Sequence, residues 1–282
     1  MNRAIRNSIF EGLCWTSLIV TGALLMVLIG SIFWNGFQAV SFDFVISASR
    51  NFGAEGGVLY QIIGSLLLIS VAAGLSFPIA LGTALYKSEY LKNQYLQRVS
   101  DILIYGLNGI PSVVFGIFGL VLFVNILSTG ISWFVGSIIL GIMILPTLVL
   151  TTYQSINSIP HHYRESALAL GMSKWQVSTK ILLPMSIQGA FTGLLIGLAR
   201  AIGETAPIMF IATAFSGAKI PGSPFEPVAS LPTHILSLAQ QASDPRSLEN
   251  AWGASLILIT LVGLFSLTAV IFRNKYKNSV AR

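Results

Sequence analysis

Hydrophobic positions along this chain fall in six long blocks rather than in short alternating runs. They cover residues 13–34, 61–86, 102–125, 131–153, 187–215 and 252–272, each near or above the about 20 residues that cross a hydrocarbon layer as a helix. None shows a period of two, and all are too long for barrel strands, so sheets are excluded as spanning elements. The first block follows a short basic stretch with Arg3 and Arg6. It is longer than the about 7–15 residues of a signal-peptide core and lacks a small-x-small exit, so it reads as an uncleaved span. Trp15 and Trp34 sit at its ends as interface anchors do. The expected class is all-α transmembrane, six helices. Residues 1–60 supply a tail, the first helix and an outer loop, and residues 61–282 form one domain of five helices, with no internal repeat and no appended soluble domain.

Composition supports this picture. Hydrophobic residues make up 54 % and charged residues only 9 %, against about 25 % charged in soluble domains. The net charge of +6 invites a nucleic-acid reading, but the placement of the cations excludes it. Twelve of the 16 Lys and Arg lie in the two tails and the loops 87–101 and 154–186. Three (Arg50, Lys219, Arg246) lie in the alternate loops, and Arg200 lies inside a span. The positive-inside rule then puts both termini and the 154–186 loop in the cytoplasm. The lone Cys14 sits in an apolar run, where it has no disulfide partner and reads as a packing or lipid-facing residue. No phosphate-binding G-x-x-x-x-G-K-[ST] is present, since Lys87-Ser88 lacks the preceding glycine, so the energy for any transport must come from a partner or an ion gradient.

The 154–186 loop has a legible architecture. Tyr163, Ala167 and Leu170 share one face of a short helix. Gly171 follows, where a helix end wants positive φ. Ser173 and Gln176 form a capping box that starts a second helix, running through Ile181, Leu183 and Pro184 into the fifth span. The unit is a rigid knob with Glu165 on its polar side. His161, His162 and Glu165 make a poor metal site, with no cysteine and no H-E-x-x-H.

The fifth span carries the candidate chemistry. Gly193 and Gly197 let another helix approach. Arg200 and Glu204, four apart, share a helix face and can pair. A charge at mid-membrane costs at least about 2.5–3.5 kcal/mol, so both face the bundle interior or a wet cavity. One reading makes them a staple; the other has Arg200 line a path and offer its donor fork to an oxyanion, with Glu204 preventing a trap. Pro207 is expected to bend the helix near Gly203. In the third span Asn108-Gly-Ile-Pro111-Ser112 marks a kink, where Asn108 and Ser112 either pack or contact solute. Pro78 and Pro146 are expected to kink the second and fourth spans. Outside the spans, residues 51–57 form a flexible turn-rich segment, and 216–251 is a long proline-rich loop with an amphipathic helix at 231–241, either a docking surface or a passive lid.

Glu165-Ser166-Ala167, Gly171 and Ile181-x-Leu183-Pro184 resemble the E-A-A-x3-G-x9-I-x-L-P loop of ABC importer permeases, with serine at the second position. Arg200 to Pro207 resembles the R-x-x-G-E-T-A-P stretch of phosphate-specific (Pst) permeases. Glu55-Gly-Gly57, Val228 to Pro232 and Ala251 to Ala254 are similar to the PstA subunit type. The resemblance covers most of residues 50–272 and implies a type I importer fold in a bacterial inner membrane. It implies a non-catalytic subunit without a cofactor of its own, since a partner ATPase binds ATP-Mg. It further implies a PstC-like sister permease, two PstB-like ATPase copies, a PstS-like phosphate-binding protein, and phosphate as solute, with no nucleic acid. Arg164, Glu165, Ala167, Gly171 and Ser173 would couple to the ATPase, and Arg200, Glu204, Asn108 and Ser112 would belong to the path. Two alternatives stay open: another oxyanion, or an ion-driven transporter using Arg200 and Glu204. The latter favours inverted repeats and broken helices, which the sequence does not display. A membrane enzyme or scaffold lacks any acid–base or nucleophile constellation.

Overall fold

The computed structural model describes the backbone of residues 3–214 and 219–280; Phe215 and Arg282 lie outside the described residues. The chain opens with α1 (Arg3–Ala39) and α2 (Phe42–Ile46), then the short strands β1 (Ser49–Arg50) and β2 (Glu55–Gly56). After α3 (Leu59–Glu89) come α4 (Gln94–Gly109) and α5 (Ser112–Gly119), the latter continuing as a π-helical stretch Leu120–Ile126. Then follow α6 (Trp133–Asn157), α7 (His161–Ala169), α8 (Lys174–Val177), a π-helical stretch Ser178–Leu182, α9 (Leu183–Ala201) and α10 (Ala206–Ile211). The chain ends with α11 (Leu231–Gln240) and α12 (Pro245–Val280).

Apolar blocks become helices because a helix satisfies its own backbone where no water can. Five segments are long and apolar enough to span: Phe10–Ala39, Leu59–Glu89, Trp133–Asn157, Lys174–Ala201 and Pro245–Asn274. The third block departs from the expected kinked rod. Its two halves, α4 and α5, meet at 94°. The residue before a proline is pushed out of the helical region, and Ile110 (φ −72°, ψ 129°) is extended ahead of Pro111. Pro78 and Pro146, by contrast, lie inside helices that run through unbroken.

α6 is the axis of the bundle. Its Ile139, Leu140, Ile144 and Leu148 are buried against Leu68 and Ala72 of α3 and Leu194 and Leu198 of α9. Close approach of α9 to α6 is set by Gly189 and Gly193: a methyl group on Gly193 would lie 2.0 Å from Thr151 Oγ1, and one on Gly189 2.2 Å from Ser155 Oγ. Gly197, which the sequence pairs with Gly193, faces Ile144 and Leu148 with ordinary room, 3.7 Å or more. The small-residue seam is thus shifted one turn from its expected place.

α1 stays outside this core. None of its most apolar window is buried, and it meets α12 near its end, at Gly36 against Trp252 and Leu256. Phe44 then plugs a small cluster with Val58, Leu231 and Ala254. At this end of the bundle the segment expected to be a flexible turn is a small antiparallel hairpin, Ser49 opposite Gly56 and Arg50 opposite Glu55. Asn250 Nδ2 donates to the carbonyls of Gly53 and Ala54, and Arg246 pairs with Glu55 at 3.4 Å, so the hairpin is fastened to the start of α12.

The helix expected at 231–241 forms as α11, and its docking is specific. Leu231 N donates to Ser65 Oγ of α3 (2.9 Å), and Val228 N to Ala212 O (2.8 Å). His234 packs beside buried Gln61, with 3.4 Å between Nδ1 and Nε2, and burial pushes its pKa down to about 4.

Candidate functional site

Two places combine polarity, geometry and position: an elbow at one end of the bundle and a charged break in the helix that follows it.

The elbow is built by local rules. α7 ends in a paired glycine cap: Met172 N donates to Ala167 O (3.1 Å) and Gly171 N to Leu168 O (3.0 Å), with Gly171 at φ +81°. Ser173 then starts α8 with both halves of the capping box: its hydroxyl accepts from Gln176 N, and its N–H donates to Gln176 Oε1 (2.8 Å). Beneath the turn, Ala167, Val177 and Leu182 are buried against Ala84 of α3 and Ile156 and Ile159 at the end of α6. A second small core therefore seats the elbow on two span ends.

Arg164 completes this seat. It donates from Nε to Glu89 Oε1 (3.0 Å), from Nη1 to Ile159 O (2.9 Å) and from Nη2 to Ile156 O (3.0 Å). One guanidinium thus neutralises an acid on α3 and holds one carbonyl of the last turn of α6 and one of the turn that follows, an arrangement that suits a planar fork better than an ammonium. Beside it Lys87, buried at 4 % exposure, pairs with Asp101 of α4, bonds Ser100 Oγ and lies 5.1 Å over the Tyr153 ring. Elbow, α3, α4 and α6 are thereby joined by charge at one level. A crevice of about 470 Å³ lies alongside, lined in part by Glu89, Lys92, His161 and Lys174.

The outward face of the elbow is unusual for a polar loop. Glu165 and Ser173 are exposed, and so are Leu168, Leu170 and Trp175, at 84 % for Leu170. Large exposed apolar side chains thus stand on both sides of the Gly171 turn, beside an exposed carboxylate.

The second place lies at the end of α9. Gly197 faces Ile144 and Leu148, which puts the following turn near the middle of α6. Here the helix stops instead of bending. Gly203 N bonds Arg200 O (3.1 Å), Glu204 N bonds Ala201 O (3.2 Å), and α10 begins afresh with Pro207 in its first turn. Arg200 and Glu204 therefore pair across a helix end rather than along one face, at 3.5 Å between Nε and Oε1. Glu204 is largely covered, at 16 %, whereas Arg200 is 48 % exposed and its two Nη nitrogens bond nothing among the described residues. α10 lies against α5, with Gly116 under Pro207 and Phe210. Both broken segments are thus in contact, and spans expected to be kinked are instead broken, one at Pro111 and one after Ala201.

The expected site residues sort by direction. Glu165, Gly171 and Ser173 face outward, whereas Arg164 and Ala167 turn inward to hold the elbow. Asn108 accepts from Thr147 Oγ1 of α6 (2.9 Å), which occupies it in packing, while Ser112 starts α5. The periodicity puts Leu170 on one face with Tyr163 and Ala167, but only Ala167 is buried and Leu170 stands exposed past the end of α7; Leu168 and Trp175 were not singled out, although large apolar residues flanking Gly171 in a polar loop were a visible signal. It also passed over Glu89, Lys87 and Asp101, whose pairing crosses loops and leaves no local trace.

A bundle with this seated elbow and contacting broken helices has the fold of type I ABC importer permeases. It superposes on a bacterial alginate ABC transporter chain (TM-score 0.67, 20 % identity, 94 % of this chain and 93 % of that one). It also superposes on the MetNI methionine ABC transporter in an inward-facing conformation (TM-score 0.63, 16 % identity, 77 % and 95 % covered). Residues 74–277 match the family described as binding-protein-dependent transport system inner membrane component, and the chain belongs to that family. It is similar to the probable ABC transporter permease protein YqgI of Bacillus subtilis (30 % identity, 95 % of both chains). It is also similar to the phosphate transport system permease protein PstA of Haemophilus influenzae (30 %, covering 97 % and 96 %) and of Mycobacterium leprae (32 %, covering 97 % and 90 %).

Proposed function

We propose that this chain is a membrane subunit of an ATP-driven importer of inorganic phosphate, non-catalytic itself and moved by a separate ATPase. One observation carries the substrate: near full-length similarity to permeases named for phosphate transport. The site supports it chemically. Arg200 presents free donors near mid-depth, and guanidinium matches the geometry of a tetrahedral oxyanion. Glu204 holds one edge of the guanidinium and weakens it as an anion trap, so the ion can leave.

The elbow would sit in a cleft of the ATPase, with Glu165, Leu168, Leu170 and Trp175 as its contact face. Two ATPase copies, a sister permease and an extracytoplasmic phosphate-binding protein complete the assembly. The elbow and both termini would lie on the cytoplasmic side of a bacterial inner membrane, a topology that the cation bias of the loops supports.

Uptake of labelled phosphate into vesicles carrying the assembled complex tests the proposal. Uptake should require internal ATP and the ATPase subunit and should survive an uncoupler. Loss of uptake on uncoupling would favour the ion-driven alternative. Preference for sulfate or molybdate would assign another oxyanion.

A further inference from the structure

A second polar recess lies away from the Arg200–Glu204 break. It is a groove of about 340 Å³ between α6, α9 and α12, lined by Thr151, Gln154, Gln188, Thr192, Ile196 and Arg273 with the glycine seam of α9. Its polar members share one level. Gln154 is in the last turn of α6, Gln188 in the second turn of α9, and Arg273 next to the end of the apolar stretch of α12. Phe272 packs on Phe191 at 5.2 Å between ring centroids, which fixes the backbone of Arg273 beside α9.

Arg273, Gln154 and Gln188 make no side-chain hydrogen bond among the described residues, and no acidic side chain lines the groove. The hydroxyls of Thr151 and Thr192 are already used on carbonyls of their own helices. Further from the elbow the floor turns apolar, with Gly193 and then Ile196, which is half exposed.

We propose that this groove holds the headgroup of an anionic phospholipid, its phosphodiester on Arg273 with the amides of Gln154 and Gln188, and an acyl chain over Gly193 and Ile196. A basic recess between spans at a membrane face recognises acidic headgroups. The volume falls within the about 300–1,000 Å³ of small-molecule sites and exceeds what a bare phosphate ion fills. The apolar floor gives a free anion nothing, whereas a lipid uses both halves.

The test is native mass spectrometry of the membrane-extracted protein with its co-purifying subunits, given dioleoyl phosphatidylglycerol or phosphatidylcholine. Wild type should retain phosphatidylglycerol preferentially. Arg273→Gln should weaken that retention by about tenfold, as expected for losing a charge-assisted hydrogen bond, and Gln188→Leu should weaken it less. Arg98→Gln, an exposed arginine outside the groove, should leave it unchanged. Equal retention by wild type and Arg273→Gln overturns the proposal, as does an equal loss in Arg98→Gln, which would mean diffuse attraction. Displacement of the lipid by millimolar inorganic phosphate would also overturn it in favour of a free-anion site. If Arg273→Gln does not accumulate, the double variant Gln154→Leu/Gln188→Leu carries the same test.

Discussion

Arg164 Nε lies 3.0 Å from Glu89 Oε1 while the two Nη nitrogens of the same residue hold the carbonyls of Ile156, in the last turn of α6, and Ile159, just beyond it. A residue on the elbow is thus bonded to the ends of two spans. In the proposed importer, movement of the elbow would reach α3 and α6 through this bonded joint rather than through a loose loop. Replacing Arg164 by Ala leaves a half-buried carboxylate and two carbonyls without their donor, a loss of about 1–3 kcal/mol. The expected outcome is a lower melting temperature and ATP hydrolysis poorly coupled to uptake, with the ATPase still co-purifying. Arg164→Lys keeps the charge but not the fork and should recover only part of the coupling.

Gly171 has open space around it, so a side chain there clashes with nothing; the penalty comes from its backbone at φ +81°. Gly171→Val should cost about 1–3 kcal/mol locally and weaken ATPase co-purification while the bundle stays folded. Gly171→Asn, which tolerates this region better, should be milder. Equal effects of the two would place the cause outside the turn.

Arg200→Gln should lower phosphate uptake by on the order of 100-fold, as expected for losing a few kcal/mol of anion stabilisation. Glu204→Gln should slow release instead, so that phosphate binds more tightly and turnover falls. Single-turnover uptake with labelled phosphate separates the two effects. Unchanged uptake in Arg200→Gln removes this residue from the path.

His234 has a pKa pushed down to about 4 by burial against an ordinary value of 6.5. Between these values the unfolded form binds the proton and the docked form does not. Its docking is therefore fully stable above about pH 6.5 and weakens as pH falls toward 4, by up to about 3 kcal/mol. Hydrogen exchange in α11 should accelerate over this window, and His234→Gln should abolish the dependence.

Leu170 is a better site than Ser173 for testing which side the elbow faces. The Ser173 hydroxyl caps α8, whereas Leu170 is 84 % exposed. Leu170→Cys should react with a membrane-impermeant maleimide from the cytoplasmic side only, and labelling from outside would invert the proposed topology.

The elbow was legible in the sequence because its determinants are local. Gly171, Ser173 and Gln176 act within one or two turns of backbone, and the structure forms both caps from them. The 94° break was legible only as a kink. Pro111 announces that Ile110 leaves the helix, but the angle depends on how α5 packs against α10. The Arg200–Glu204 pair was anticipated from spacing, yet through the wrong geometry: the helix ends between them, and the two side chains meet across the break.

By itself the sequence determined the helical class, the six apolar blocks, the capped elbow and the presence of two charges within the fifth block. These follow from hydrophobicity and backbone preference, which act over a few residues. Tertiary structure decided where Arg164, Lys87 and Arg273 point, which glycines form the α9 seam, and how sharply the third block folds. Those depend on contacts between residues far apart in the chain, where a neighbour's surface, and not the local backbone, selects the conformation.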